Sequence, residues 1–281
     1  MTIYHNQRFD AERALYGQAG IEVDHCTFAG PADGESALKE CRDVTVRDSL
    51  FELRYPLWHL RGGSLTGCRM TESCRAALWY DSDLSLTDCA LGGIKAVREC
   101  RGVTLTRCDV RSPEFGWQCD GLTMDDCLLE SEYAFLHSRD LTIRGLTMQG
   151  KYSFQYVENA RLDHCRLVTK DAFWHSRGIT VTDSVIEGEY LGWYSQDLHL
   201  IRCTIRGTQP LCYARGLVLE DCRMVDTDLS FENSDVRATV QGSILSVKNP
   251  DHGEIVADSI GQILLDEFRR PGADCRITCR G

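Results

Sequence analysis

Between Leu84 and Met224 polar and apolar residues alternate in one phrase that returns every 19 residues. Leu84-Ser85-Leu86-Thr87-Asp88-Cys89-Ala90-Leu91 is one copy, and Val103-Thr104-Leu105-Thr106-Arg107-Cys108-Asp109-Val110 is the next. The anchor of the phrase falls on Cys89, Cys108, Cys127, Leu146, Cys165, Ser184, Cys203 and Cys222 without a slip. A fixed period of this size marks stacked units that share one core. Alternation with period two is strand periodicity. Thr, Val, Ile and Leu fill the strand positions, as a pleated, half-buried surface prefers.

Corner signals bound the strands. Arg101-Gly102, Asp120-Gly121, Arg139-Asp140, Glu158-Asn159 and Arg177-Gly178 precede successive strands, and Gly, Asn and Asp tolerate positive φ. A second corner stands just before the anchor at Asp88, Arg107, Asp126, Gly145, Asp183 and Asp221. Aligned outward, the anchor column gains Cys26, Ser49 and Cys68 at one end and Ser243 at the other, with extra residues in corner loops such as Gly30 to Gly34.

The expected architecture is all-β: a single-domain right-handed parallel β-helix over 1–281, with about 12 rungs of 19 residues. At the usual strand spacing, rungs stack about 4.8 Å apart into a rod roughly 60 Å long. Regular rungs are expected over about 15–245. A turn at Ser246 to Gly253 and degenerate rungs with a C-terminal cap are expected over 246–281, because open strand edges need protection. The rival, a leucine-rich repeat, shares the L-x-L-x-x-C-x-L core. It lacks support here because the second half of each rung is aromatic and β-branched rather than helical.

Cysteine usage narrows the chemistry. Eight of the 15 Cys occupy the anchor column, and Cys41, Cys100 and Cys119 share a second column where Ser138, Ser176, Ser195 and Ala214 also stand. Exchange with Ser, Ala and Leu indicates small buried residues rather than ligands. The odd count and the lack of CxxC argue against zinc, so neither metal nor cofactor is expected. The net charge, 31 − 42 = −11, argues against nucleic acid. No apolar run suits a membrane span, and the first eight residues carry no apolar signal region. With the free thiols this gives a cytoplasmic expectation.

The third side of each rung carries the only ladders with chemical character. One column holds Tyr16, Lys39, Trp58, Trp79, Arg98, Trp117, Trp174 and Trp193. Its neighbour holds Glu40, His59, Tyr80, His137, Tyr156, His175, Tyr194 and Tyr213. Strict alternation would turn the Trp column inward, which Lys39, Arg98 and Gln155 in the same column resist; a bulge would turn both columns outward. Two readings stand: stacking that stabilises a sheet, or a strip that binds amphipathic rings.

Long segments resemble the bacterial family DUF3737: Gly188-Glu189-Tyr190-Leu191-Gly192-Trp193-Tyr194-Ser195, Gly207-Thr208-Gln209-Pro210-Leu211-Cys212-Tyr213 and Thr227-Asp228-Leu229-Ser230-Phe231-Glu232-Asn233-Ser234. Ser246-Val247-Lys248-Asn249-Pro250, Glu12-Arg13-Ala14-Leu15 and Gly34-Glu35-Ser36-Ala37-Leu38-Lys39-Glu40 fit as well. The resemblance implies a pectin-lyase-like β-helix and brings no catalytic residues with it.

The residues then offer two functions. In the first, a carbohydrate or sugar acid binds along the strip. Glu35, Glu40 and His59 would serve as acid/base groups. Glu12, Arg13, Lys39, Tyr55, Trp58, Trp79, Tyr80, Arg98, Trp117, His137, Tyr156, Trp174, His175, Trp193 and Tyr194 would be contacts. In the second, the chain is a non-catalytic scaffold that meets a protein partner or a second copy. The adjacent pair Asp125-Asp126 reads as a structural corner, and His137 and His175 lie two rungs apart, too far to share a metal.

Overall fold

The structure, a computed structural model, describes residues 2–30 and 35–281. Of the corner loop expected at Gly30 to Gly34, all but Gly30 lies outside them. The chain forms two compact units, one ending at Thr142 and the other spanning Ile143–Gly281. Each is a parallel β-solenoid. No α-helix occurs among the described residues, and none is long and apolar enough to cross a membrane.

In the first unit, Thr2–His5, Ile21–Asp24, Arg42–Arg47, Arg61–Thr66, Ser82–Thr87, Thr104–Thr106 and Thr123–Asp125 pair in parallel along one side. A second side is built from short strands such as Arg8–Phe9, Thr27–Phe28 and Leu50–Phe51. The pairing Thr2↔Ile21 places a rung ahead of the expected start at the same 19-residue offset. Gln7 holds its anchor position, where the sequence offers no Cys to mark it. Inside, Phe9, Phe28 and Phe51 stack with centroids 4.9 and 4.8 Å apart.

The second unit continues the pattern through Glu158–Asp163, Arg177–Thr182 and Gln196–Ile201. It then changes character. Asp235–Lys248 and His252–Leu264 are long strands paired in parallel, with a register shift between Val240 and Ser243. Ser246, Val247 and Lys248, expected in a turn, are therefore strand, and the turn is confined to 249–251. Arg276–Cys279 pairs on the last long strand.

The corners explain the sequence columns. Gly102, Gly121 and Asp140 have φ of 62°, 70° and 55°, and Asp88, Arg107 and Asp126 have 53°, 50° and 50°. A residue with a Cβ loses roughly 1–2 kcal/mol in this region. The rung ladder offsets that cost by satisfying the corner backbone: the Asp88 N–H donates to Thr106 O at 3.1 Å and the Arg107 N–H to Asp125 O at 2.9 Å.

The anchor column follows the same logic. The Cys108 thiol donates to Thr106 O at 3.5 Å and faces Leu86 O of the rung before at 3.6 Å. Ser184 Oγ donates to Thr182 O at 2.7 Å and accepts from the Cys165 N–H at 2.9 Å. Cys and Ser alike cap corner carbonyls from this column, which is why Ser replaces Cys so readily, while Leu146 fills the same place without a donor.

Candidate functional site

On the third side two consecutive residues point inward and the next two outward. Pro56 and Leu57 are buried, whereas Trp58 and His59 are half-buried; Ala77 and Leu78 are buried, Trp79 half-buried and Tyr80 exposed. Positive φ at Tyr55 (54°), His59 (60°), Ala76 (44°) and Tyr80 (58°) breaks the alternation at both ends of the segment. In these rungs both ladder columns therefore turn toward the surface, whereas Gln155 of the same column is buried.

In the first unit Trp58 and Trp79 stack with centroids 5.2 Å apart and planes 12° from parallel. Lys39 Nζ lies 3.7 Å from the Trp58 ring centre, and the Arg98 guanidinium lies 5.8 Å from that of Trp79. The rungs on either side thus cap the indole pair with cations. Tyr55 packs against both indoles, at 5.9 and 5.6 Å. The ring faces a pyranose would need are covered, and the Nε1 atoms of both indoles are buried. Arg98 Nε also donates to Glu99 at 2.7 Å.

The polar residues nearby are matched among themselves. Arg13 contacts Glu12 at 2.9 Å, and Arg54 contacts Glu35 at 3.1 Å. His59 Nδ1 stands 3.6 Å from Glu40, an ion-pair distance too long for a hydrogen bond. Glu35 and Glu40 thus have different partners. His59 also meets Tyr80 edge to face at 5.1 Å, and a hydrogen bond to Glu99 pushes the Tyr80 phenol up.

Farther along this unit, Trp117 Nε1 donates to Tyr133 O at 2.6 Å, and Lys95 Nζ lies 5.4 Å from the Trp117 ring centre. His137 lines a polar recess of ≈ 220 Å³ with Glu99, Arg101, Gln118, Asp120 and Arg139.

The second unit holds the most continuous ladder. Tyr156, His175, Tyr194 and Tyr213 stack with centroids 5.3, 5.0 and 4.9 Å apart and planes within 2°, 9° and 13° of parallel. Trp174 lies beneath His175 at 5.8 Å, and Trp193 Nε1 donates to Gln209 O at 2.7 Å. Tyr213 Oη donates to Glu232 at 3.3 Å; burial, then the Glu232 charge, push its phenol up to about 12. Glu232 in turn pairs with Lys248 at 2.9 Å.

One titratable residue escaped the sequence reading. Asp81 is 1% exposed in the column otherwise held by Cys41, Leu60, Cys100 and Cys119. Its Oδ1 accepts from the Leu60 N–H at 2.8 Å, and its Oδ2 has no partner among the described residues. Burial raises its carboxyl well above the ordinary range. The signal was one acid in a column of small and apolar residues.

The model of the DUF3737 family, described as a protein of unknown function, matches residues 2–278. The chain belongs to the DUF3737 family. No curated protein matches it. Among solved structures, this DUF3737 chain is similar to HetL, a pentapeptide repeat protein from the cyanobacterium Nostoc sp., at 13% identity and TM-score 0.30 over 80% of this chain and 92% of that one. It is similar to the mannuronan C-5 epimerase AlgE4 A-module of Azotobacter vinelandii at 10% identity and TM-score 0.34, over 94% and 91% of the two chains. A tailspike protein of an E. coli bacteriophage, in complex with a pentasaccharide, gives 10% identity and TM-score 0.28 over 98% and 66%. Likenesses this distant carry no argument about function.

Proposed function

We propose that this DUF3737 protein is a non-catalytic binding scaffold that docks a protein partner on its edge-on aromatic ladder. The carrying observation is the stack Tyr156, His175, Tyr194 and Tyr213, of which the first three are exposed and Tyr213 is half-buried. Its faces are used internally, so it presents a row of ring edges with phenol and imidazole groups. Such amphipathic, rigid side chains contribute contact area at little entropic cost, which is why Tyr and Trp are enriched at protein interfaces. Fifteen free thiols are in keeping with a reducing compartment for that encounter.

A second reading, carbohydrate or sugar-acid binding, draws support from a different place. A groove of ≈ 680 Å³ in the first unit is lined by Arg69, Thr71, Glu72, Ser73, Asp109 and Arg111, among others. A sugar there would be held by hydrogen bonds rather than by ring stacking.

Photo-crosslinking separates the two. A benzophenone amino acid at Tyr194 is expected to give one discrete protein adduct in the native host, and the same group at Arg223 none. Equal labelling from both positions, or none from either, overturns the scaffold reading. Glycan-array binding that survives Tyr194→Ala and disappears in Arg111→Ala installs the carbohydrate reading instead.

A further inference from the structure

Among the described residues, three groups of His and Asp side chains bring their ligand atoms within 4.8 Å of one another: His5 with Asp24 and His25, Asp163 with His164 and Asp183, and Asp235 with Asp251 and His252. The last two are already neutralised by guanidinium groups. Arg202 binds Asp183 through both nitrogens, at 2.7 and 2.6 Å. Arg215 and Arg270 contact Asp251 at 3.2 and 2.9 Å. The first group differs. Asp24 meets His5 Nδ1 at 2.7 Å through one carboxylate oxygen and His25 Nδ1 at 2.8 Å through the other. Arg47, its neighbour in the next rung by register, is committed to Glu22.

We infer that His5, Asp24 and His25 form a binding site for a divalent first-row transition metal such as Zn²⁺. Two imidazole nitrogens and one carboxylate suit such ions and not Ca²⁺ or Mg²⁺, which take oxygen ligands. Donors at about 2.1 Å from one ion at tetrahedral angles stand roughly 3.4 Å apart. The observed 2.7 and 2.8 Å contacts reach that spacing by small side-chain rotations. The backbone is already set: His5 pairs in register with Asp24 in the parallel ladder, and His25 (φ 51°) is held at the following corner. An outer partner is also in place, since the Asn6 amide lies 2.8 Å from His5 Nε2. With its amide turned, Asn6 accepts the Nε2–H when Nδ1 is the ligand, the arrangement that orients metal-bound histidines. Three protein donors leave a coordination position open to water or to an exogenous ligand. Because His5 belongs to the first rung and Asp24 and His25 to the second, the ion would also tie the two rungs together.

The test uses tag-free full-length protein and ZnCl₂ alone. Calorimetry is expected to show one equivalent bound, with affinity at least tenfold weaker in His5→Ala and in His25→Ala and unchanged in His164→Ala. Zn²⁺ is expected to raise the melting temperature of wild type and of His164→Ala, and not that of His5→Ala or His25→Ala. Co²⁺ is expected to give visible d–d absorption that His5→Ala abolishes. These side chains are half-exposed, so circular dichroism should show both variants folded. Absence of stoichiometric uptake, or equal uptake by wild type and the two variants, overturns the site.

Discussion

Lys39 Nζ sits 3.7 Å from the ring centre of Trp58, closing one end of a stack that Arg98 closes at the other. The contact makes Lys39 part of the ladder rather than a free charge. Lys39→Met keeps the bulk and removes the cation, and is expected to cost about 1 kcal/mol. Trp79→Ala removes the ring that both Trp58 and Tyr55 pack against and is expected to cost about 2 kcal/mol, below the range for a fully buried Trp. Denaturant unfolding checks both. A Trp79→Ala protein as stable as wild type would show that the ladder contributes nothing to stability.

Asp81 gives a pH dependence with a definite sign. Its folded carboxyl titrates far above its unfolded value because it is buried. Its stabilising share is therefore complete below the unfolded carboxylate range and declines as pH rises toward the folded value. Asp81→Asn preserves the acceptor for the Leu60 N–H and removes the proton. The variant is expected to lose less melting temperature than wild type between pH 5 and 8. Parallel curves would mean that the folded Asp81 carboxyl is already ionised across that window, against its raised value.

Thiol reactivity should divide by position. Thirteen cysteines are buried, Cys275 is half-buried and Cys279 is exposed. Burial pushes the Cys74 thiol up to about 11 and Cys212 to about 12. In native protein a thiol reagent is expected to label Cys279 at once, Cys275 slowly and the others only on unfolding, as mass spectrometry can locate. Denatured, unreduced protein should release all fifteen.

Asp251 is one of the residues that hold the C-terminal segment, beside the Asn249–Asp266 pair. Asp251, 5% exposed, accepts from Arg215 and Arg270, while its carbonyl accepts from the Asp274 and Cys275 N–H groups at 2.9 and 3.1 Å. Asp251→Ala is expected to cost about 1–3 kcal/mol and to open 265–275 to proteolysis well ahead of the rungs. Cleavage at the wild-type rate would remove Asp251 from that role.

Most of the fold could be read from residues whose spacing is rigid. Cys89 to Cys222 announce the rungs, and the corner residues Gly102, Asp140 and Asp88 adopt the positive φ their identities suggest. The side columns were less legible. Whether Trp58 faces in or out depends on the backbone at Tyr55 and His59, and neither side chain advertises a left-handed φ. The cap on Trp79 was in the column as Arg98, but a column does not say which neighbour a cation leans on. The His5, Asp24 and His25 group escaped notice because Gln7 hides the first anchor. Without that anchor, no alignment places His5 over Asp24.

The uniform register makes this polypeptide editable in whole units. Glu158 pairs with Arg177, and Arg177 with Gln196. Excising residues 177–195 would set Gln196 where Arg177 stood, with each corner, anchor and ladder position meeting its equivalent. A gene for such a chain can therefore lengthen or shorten by 57 nucleotides at a time with every column kept, whereas one codon inserted within a strand would turn the rest of that strand's side chains to the opposite face.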